Sequence, residues 1–387
     1  MEGFDVMKYN IVCSGDIHFG YYPPDLLYRE FRQLVNYVEN NEVDAVIICG
    51  DYYDNKLIMS SNHSMCAIRA FTDLVKACIK REAKLRIIRG TSSHDPENQL
   101  KILSNIALGT ECDFRLYTRV DTEELFPGLK VLYIPEEYME NKNEYYKEYF
   151  EVDEKYNAIF GHGMFEETTY SSHSNANTMK KYPVFNSKFM ESICLGPIVF
   201  GHIHKHQTIR NRIVYTGSLT RSKFGEEEDK GFIIASYDTE THETEYEFFV
   251  NELAMKYDTI EVTSDSPIFS MLTKDQISYL KDAIHTYKRD KLRIKISIPE
   301  DYINTKIFID SINTVFSSIK DVQFDIKENN QEKKQKETVE KMNRIMDKYG
   351  FIFDKSITYE EKIHQFIKAK KGIDIPIENI RRLINGN

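Results

Sequence analysis

The stretch AVIICGDYYD, residues 45–54, is the part of this sequence that best defines its fold class. Its first five residues are apolar and rich in β-branched side chains, a pattern typical of a short strand that is buried on both faces. Gly50 then permits a sharp change of backbone direction, and the carboxylate of Asp51 follows directly. A buried strand that ends in this way predicts a layered α/β domain whose chemistry lies on the loops after the strands.

The same pattern recurs on both sides of residues 45–54. Amphipathic stretches between the apolar runs, such as residues 26–38 and 65–80, predict helices. Because strands alternate with helices, we expect one α/β domain over residues 1–250. The further runs that predict strands are residues 10–13, 85–88, 131–134, 158–160, 198–200 and 213–215.

Two further parts are expected after residue 250. Residues 251–327 predict a small α+β domain, because strand patterns alternate there with helical ones. Residues 328–387 predict a polar linker, KENNQEKKQK from residue 327, followed by short amphipathic helices. The predicted elements are strands at 258–263, 292–298 and 322–326, and helices at 274–288, 306–319, 339–349, 363–367 and 377–384.

The composition describes a globular protein of 387 residues with a net charge of −10, which argues against nucleic-acid binding by bulk electrostatics. The part from Lys327 onward differs, with 14 Lys/Arg against 10 Asp/Glu, a net charge of +4.

The sequence contains no run of 18 uncharged apolar residues, so we expect no membrane association, and the first residues lack the pattern of a signal peptide. Six scattered cysteines, none in a CxxC pair, predict a reducing compartment. We expect the chain to act in a bacterial cytoplasm, encoded by a bacterium or by a bacteriophage.

A glycine near the end of each of five apolar runs is followed by aspartate or histidine, directly in four cases and after three polar residues in the segment 90–95. Asp-x-His and His-x-His place two side chains on one side of an extended segment. Mixed imidazole and carboxylate ligands suit Mn, Fe or Zn better than Ca. Six such ligands exceed the needs of one site, so we expect one carboxylate to bridge two cations about 3.5–4 Å apart. The five segments are residues 15–18, 50–54, 90–95, 161–162 and 201–204.

This series resembles the calcineurin-type metallophosphoesterase superfamily, whose pattern is D-x-H, G-D, G-N-H-D/E, G-H and G-H-x-H. The resemblance implies a four-layer fold, in which two packed sheets are flanked by helices. It also implies two divalent metal ions, for which Mn²⁺ is the first candidate and Mg²⁺, Fe²⁺ or Zn²⁺ are alternatives. The first metal would be bound by Asp16, His18 and His204. Asp51 would bridge both metals, and the second would be bound by His162 and His202.

The resemblance also implies the roles of residues beside the metals. His94 would contact the phosphate and protonate the leaving oxygen as a general acid, and Asp95 would orient His94 by a hydrogen bond. Asp54 would brace the loop. The sequence departs from the family pattern between Gly90 and His94, where the asparagine that offers an oxygen to the second metal is missing. Ser93 is the first candidate to replace it, with Thr91 or a water as alternatives.

Two features narrow the resemblance to SbcD-type nucleases of DNA break repair. Residues 214–219, VYTGSL, followed by Lys230-Gly231-Phe232, resemble the Y-x-G-S and K-G-F hairpin of that subgroup. The subgroup also has a capping domain and a helical tail after its phosphoesterase domain. The resemblance therefore implies cleavage of DNA ends and single strands, an SbcC-like coiled-coil ATPase bound by the C-terminal helices, and a homodimer formed through residues 62–80.

Two other functions are compatible with the same metal-binding residues. A phosphodiesterase for a small nucleotide-type substrate would use every metal ligand, although it has no evident need for a capping domain and tail. A DNA-end-binding scaffold with weak or no catalysis would fit the altered segment between Gly90 and Asp95. Metal content and cleavage assays distinguish these alternatives.

Overall fold

A computed structural model of the chain describes residues 8–168, 183–262, 291–299, 322–329 and 356–385. The chain divides into two compact units. The first comprises Met1–Thr259 and Tyr287–Arg293, and the second comprises Ile260–Thr286 and Ile294–Asn387.

The described strands are numbered in chain order. They are β1 (Lys8–Ser14), β2 (Ala45–Cys49), β3 (Lys84–Ile88), β4 (Phe114–Tyr117), β5 (Asp121–Phe126), β6 (Leu129–Ile134), β7 (Ala158–His162), β8 (Met164–Phe165), β9 (Val184–Phe185), β10 (Ile198–Gly201), β11 (Gln207–Ile209), β12 (Ile213–Tyr215), β13 (Gly231–Asp238), β14 (Thr244–Val250), β15 (Tyr257–Val262), β16 (Lys291–Pro299) and β17 (Val322–Asn329). The described helices are α1 (Pro24–Asn40), α2 (Asn62–Arg81), α3 (Glu97–Leu108), α4 (Lys142–Phe150), α5 (Ser187–Ile193), α6 (Tyr359–Lys371) and α7 (Ile377–Asn385).

Two six-stranded sheets form the first unit. The strand order is β14-β13-β1-β2-β3-β4 in sheet I and β11-β12-β10-β7-β6-β5 in sheet II. Strands β1 to β4 are parallel to one another, as are β6, β7, β10 and β12. Each sheet therefore gathers the carboxyl ends of several strands along one edge, where loop residues can meet.

Side-chain alternation along the strands produces four layers. In β1, Ile11 and Cys13 belong to a buried cluster that they share with Val131 and Phe160 of sheet II. Val12, between them, belongs instead to a cluster with the apolar faces of α1, α2 and α3. The outer face of sheet II packs in the same way on α4 and α5. Two sheets are thus packed face to face and flanked by helices, which confirms the expected α/β fold.

A buried ion pair connects the two sheets. Arg86 of β3 is fully buried, and its guanidinium donates two hydrogen bonds to the carboxylate of Glu123 in β5, at 2.7 and 2.8 Å. The hydroxyl of Tyr117 donates to the same carboxylate at 2.6 Å. Because both charges are paired in this geometry, the pair can lie in the interior without an uncompensated charge.

The predicted strands of the first unit are all present, and the two predicted helices correspond to α1 and α2. The first unit also continues beyond residue 250, because Ala254 and Met255 are buried and Asn251 donates to the carbonyl oxygen of Leu219 at 3.0 Å. Strands β15, β16 and β17 form a three-stranded sheet in that order. Strand β17 extends to Asn329, where the sequence predicts a linker.

Two of the predicted C-terminal helices correspond to α6 and α7. Helix α6 begins with a capping box, in which Thr358 and Glu361 satisfy each other's backbone N–H groups. The helices predicted at 274–288, 306–319 and 339–349 lie outside the described residues. No helix in the described part of the chain is both long and apolar enough to cross a bilayer.

Candidate metal centre

The carboxyl ends of strands from both sheets meet at one place. Strands β1, β2 and β3 of sheet I lead into the segments that carry Asp16, Asp51 and His94. Strands β7 and β10 of sheet II end at His162 and just before His202. The two sheets thus bring together residues that are far apart in the sequence, as expected for loops at the carboxyl edges of α/β sheets.

The first ligand cluster contains Asp16, His18 and His204. The Nε2 atoms of His18 and His204 are 3.1 Å apart, and Nε2 of His204 is 3.8 Å from Oδ1 of Asp16. The carboxylate of Asp16 accepts a hydrogen bond of 2.9 Å from the backbone nitrogen of His202. These three residues, which the sequence predicts as ligands of the first metal, lie together.

Asp51 lies between this cluster and a second one. Its Oδ2 atom is 3.9 Å from Nε2 of His18 and 3.4 Å from Nε2 of His162. The backbone nitrogen of Thr91 donates to Oδ1 at 2.7 Å and holds the carboxylate in place. This position is the one that a bridging ligand requires.

The second cluster contains Glu136, His162 and His202. The Oε2 atom of Glu136 is 3.4 Å from Nε2 of His162 and 3.1 Å from Nδ1 of His202. The sequence-based prediction included both histidines but missed Glu136. Glu136 follows β6 without a preceding glycine, as Ile134-Pro135-Glu136, so it lacks the pattern shared by the other segments. Its position just beyond an apolar strand was the one signal available.

The tautomer of His162 is fixed by its buried surroundings. Its Nδ1 atom lies 2.7 Å from the carbonyl oxygen of Cys49, and because a carbonyl oxygen can only accept, Nδ1 carries the hydrogen. The Nε2 atom therefore points toward the carboxylates, and it is fully buried without a hydrogen-bond partner. A buried nitrogen held in this way is typical of a metal-ligating histidine.

The backbone is strained at several of these residues. Among the described residues, positive φ angles outside glycine include Asp16 (50°), His18 (56°), Asp51 (50°) and His202 (94°). Such conformations cost free energy and cluster at functional sites, where the surrounding structure maintains them. Gly50 is required beside them, because its φ is 84° and a Cβ atom there would lie 2.3 Å from Nδ1 of His162.

The orientation of His94 differs from the prediction. Its Nδ1 atom lies 2.5 Å from the backbone carbonyl oxygen of Asp54, to which it donates, so Nε2 remains available to a substrate. The carboxylate of Asp95 instead accepts hydrogen bonds from the backbone nitrogens of Gly90 at 2.9 Å and Tyr53 at 3.0 Å. Asp95 is fully buried, and it ties together the loops that follow β2 and β3. The prediction that Asp95 orients His94 by a hydrogen bond was therefore wrong, since Asp54 does so.

The loop between Gly90 and His94 also places its hydroxyl groups differently from the prediction. Ser93 is exposed and lines the cleft above the centre. Thr91 is the residue that contacts the ligands, because its hydroxyl lies 3.3 Å from Oδ2 of Asp51 and 3.1 Å from Oε2 of Glu136. The candidate alternative Thr91, and not Ser93, therefore sits at the second cluster.

Residues of the segment 214–232, which connects sheet II to sheet I, hold the backbone of His204 in place. The carbonyl oxygen of His204 accepts hydrogen bonds from the ammonium of Lys230 at 2.9 Å and the backbone nitrogen of Ser218 at 3.0 Å. Lys230 is itself buried and paired with Glu228 at 2.8 Å and Glu226 at 3.1 Å. The Y-x-G-S and K-G-F residues thus fix the loop that carries two histidines.

The donor set fits two divalent cations. Asp16, Asp51 and Glu136 are each at least 97% buried, and buried carboxylates need compensating positive charge. Burial raises the pKa of Asp16, whereas for Glu136 the hydrogen bond from His202 and the charge of His162 outweigh burial and lower the pKa. The pKa of His162 is raised because the charge of Asp51 outweighs burial, which by itself lowers it. Bound cations would take over the neutralising role that these histidines otherwise play.

A cleft of about 340 Å³ opens over the clusters. Its walls include the hydroxyl groups of Ser218, Thr220 and Ser222, together with His94. The rings of Tyr21 and Tyr22 also line it, with centroids 4.6 Å apart, and Tyr21 is 52% exposed. The cleft is thus polar at its base and has an exposed aromatic ring in its wall.

The profile of the calcineurin-like phosphoesterase family matches residues 9–206. The chain belongs to this family. Calcineurin-like phosphoesterases are metal-dependent hydrolases of phosphoester bonds that typically bind two divalent metals, and the matched region includes every ligand described above. The family assignment and the geometry thus agree.

No curated protein matches the chain. Among solved structures, one crystal structure is 14% identical, with a TM-score of 0.39, and the match covers 63% of this chain and all of the other. The crystal structure of TT1561 of Thermus thermophilus is 10% identical, with a TM-score of 0.37, over 62% of this chain and 99% of the other.

Proposed function

We propose that this calcineurin-like phosphoesterase is a two-metal DNA nuclease, acting as exonuclease on duplex ends and endonuclease on single strands. In this proposal it is the nuclease subunit of an SbcCD-like complex for DNA-end processing and recombination. The observation that carries the phosphodiester chemistry is the position of Asp51 between two ligand clusters, with His94 in the wall of the same cleft. This arrangement suits an in-line displacement at phosphorus.

Different residues of the chain have different roles in that reaction. Two divalent cations, Mn²⁺ by preference, would supply an activated water and neutralise the charge that develops on the phosphate. Asp51 holds a shared position between the clusters, and its hydrogen bond from Thr91 keeps the carboxylate oriented. His94, held by the carbonyl oxygen of Asp54, presents Nε2 to donate a proton to the leaving sugar oxygen.

Two features support DNA as the substrate. The exposed ring of Tyr21 in the cleft wall offers a stacking surface to a nucleotide base, an interaction that tolerates any sequence. The segment 214–232, whose motifs resemble those of SbcD-type nucleases, contacts the metal centre through the hydrogen bond from Lys230 to the backbone carbonyl oxygen of His204. Because the chain is acidic overall, the bound cations and a partner would supply the positive charge that the DNA backbone needs.

The C-terminal helices support an ATPase partner. Helix α6 and the loop after it expose large apolar side chains, including Tyr359 and Ile373. Exposed apolar groups on short helices are expected where another protein docks. We therefore propose that this tail binds an SbcC-like coiled-coil ATPase in the cytoplasm, and that the nuclease acts as a homodimer.

One observation favours a second function. The cleft volume of about 340 Å³ lies within the range of sites for small molecules, so a mononucleotide-sized phosphodiester would also fit. A phosphodiesterase for a small nucleotide-type substrate is therefore the alternative proposal.

The test compares DNA cleavage by the wild type, Asp51→Ala and the control Glu154→Gln, a substitution at an exposed carboxylate. End-labelled linear duplex and circular single-stranded DNA are incubated with Mn²⁺. Cleavage by the wild type and the control, lost in Asp51→Ala, supports the nuclease. If none of them cuts DNA but the wild type hydrolyses bis-p-nitrophenyl phosphate, the small-substrate phosphodiesterase is favoured unless adding the ATPase partner restores DNA cleavage.

A further inference from the structure

The second ligand cluster contains a carboxylate at a position where the family pattern has none. Glu136 is 1% exposed, and its backbone nitrogen donates to the carbonyl oxygen of Arg89 at 3.2 Å. The hydroxyl of Tyr138 donates to its Oε1 atom, which leaves Oε2 directed at His162 and His202. The side chain is therefore held from two sides with one oxygen facing the centre.

Strand register explains this position. Strands β6 and β7 are parallel neighbours, and Ile134 pairs with Gly161. Glu136 comes two residues after Ile134, and His162 comes one residue after Gly161. Both residues therefore lie at the same edge of sheet II, at the ends of adjacent strands.

The spacing of the ligand atoms matches a coordination shell. Metal bonds of about 2.0–2.2 Å place neighbouring ligand atoms roughly 3.0–3.5 Å apart in octahedral or tetrahedral geometry. From Nε2 of His162, the distance is 3.4 Å both to Oε2 of Glu136 and to Oδ2 of Asp51, and Oε2 is 3.1 Å from Nδ1 of His202. Nε2 of His162 is buried, has no hydrogen-bond partner and faces these two carboxylate oxygens. A divalent cation at this point would be bound by the nitrogen and by both oxygens.

We propose that Glu136 is a protein ligand of the second metal ion and replaces the missing asparagine of the family pattern. Thr91 positions it, because its hydroxyl donates to Oε2 while its backbone nitrogen holds Asp51. A carboxylate in place of a neutral amide adds one negative charge and strengthens binding of a divalent cation. The altered segment between Gly90 and Asp95 is then compatible with a complete centre rather than with a catalytically weakened scaffold.

This inference rests on the proposed two-metal chemistry but not on DNA as the substrate. Its test is metal binding by the full chain, measured by equilibrium dialysis against Mn²⁺ with elemental analysis and no substrate present. The variant is Glu136→Gln, and the matched control is Glu137→Gln. Glu137 is also buried, but its carboxylate binds the backbone nitrogen of Val120 and the hydroxyl of Tyr145 instead of the centre.

We expect two ions per chain for the wild type and for Glu137→Gln. In Glu136→Gln the second ion should bind roughly 10–100-fold more weakly, because the neutral amide that takes the place of the carboxylate lacks its charge. Two ions bound to Glu136→Gln with wild-type affinity would overturn the inference, as would fewer than two in the wild type. A third outcome is that Glu136→Gln loses the second ion while the wild type fails to cleave DNA. That result would support the inference about Glu136 and would contradict only the nuclease proposal.

A second measurement covers the case in which Glu136→Gln does not fold, as judged by circular dichroism. Crystals of the wild-type chain grown with Mn²⁺ are examined by anomalous scattering. An ion about 2.0–2.2 Å from Oε2 of Glu136 supports the inference. An ion on His162 and His202 with Glu136 outside bonding distance overturns it.

Discussion

The ring of His94 donates from Nδ1 to the backbone carbonyl oxygen of Asp54 across 2.5 Å, so the loop after β2 orients the side chain that follows β3. A backbone carbonyl accepts this hydrogen bond whatever side chain occupies position 54. The tautomer of His94 is therefore set by loop geometry, and its Nε2 atom is the one that can exchange a proton with a substrate.

Replacing His94 by alanine should lower kcat without removing the metals. General acid catalysis contributes roughly 10²–10⁴-fold, and it matters most for a leaving group that departs poorly as an anion. We expect a large loss on DNA or a dinucleotide and a smaller one on bis-p-nitrophenyl phosphate, whose leaving group needs little protonation. Steady-state kinetics on both substrates measure this difference. Equal losses on the two substrates would contradict the role of His94 as an acid, and metal analysis of the variant controls for damage to the centre.

Replacing Lys230 by methionine should weaken the first metal site from a distance. The ammonium of Lys230 donates to the carbonyl oxygen of His204, which belongs to that site. Loss of an outer partner of a ligand costs roughly 10–100-fold in metal affinity or activity. Titration with Mn²⁺, followed by activity and by bound metal, measures the shift. Lys223→Met, at an exposed position nearby, is the control, and an unchanged metal affinity in Lys230→Met would refute the bracing role.

Removal of metal should lower the stability of the first unit. Asp16, Asp51 and Glu136 are buried close together, and without cations their charges are left to the neighbouring histidines. A ligand at 1,000 times its Kd stabilises a fold by about 4 kcal/mol. We therefore expect the thermal midpoint to fall with a chelator and to recover with added Mn²⁺. Asp51→Ala should respond much less to either treatment, and an identical response would show that the stabilising ions bind elsewhere.

The buried pair of Arg86 and Glu123 should contribute more to stability than an exposed pair does. Breaking a buried pair by removing one partner costs about 3–5 kcal/mol, because the other charge stays buried. For Glu123→Ala we expect about 3 kcal/mol, since Asp113 still accepts from Arg86 at 2.9 Å. Glu245→Ala, which breaks the exposed pair with Lys8, should cost at most about 1 kcal/mol. Urea denaturation measures both, and metal content should stay unchanged in each variant.

The sequence alone determined the strands and most of the candidate ligands. A short β-branched run such as residues 45–49 has few alternatives to a buried strand, because its periodicity and its terminal glycine are local properties. The aspartates and histidines that follow such runs are equally local, so all six predicted metal ligands could be named and each now lies in the centre. For the same reason a layered α/β domain could be predicted before any contact was known, whereas the four-layer arrangement was implied by the family resemblance.

Only the tertiary structure decided which other groups complete the centre. Glu136 follows a strand without the glycine that marks the other segments, and it reaches His162 because β6 and β7 are neighbours in register. Asp95 and Asp54 differ in function because one points into the protein toward backbone nitrogens and the other places its carbonyl oxygen beside His94. These relationships depend on strand order and on the meeting of two sheets. Such long-range geometry leaves no periodic trace in the sequence.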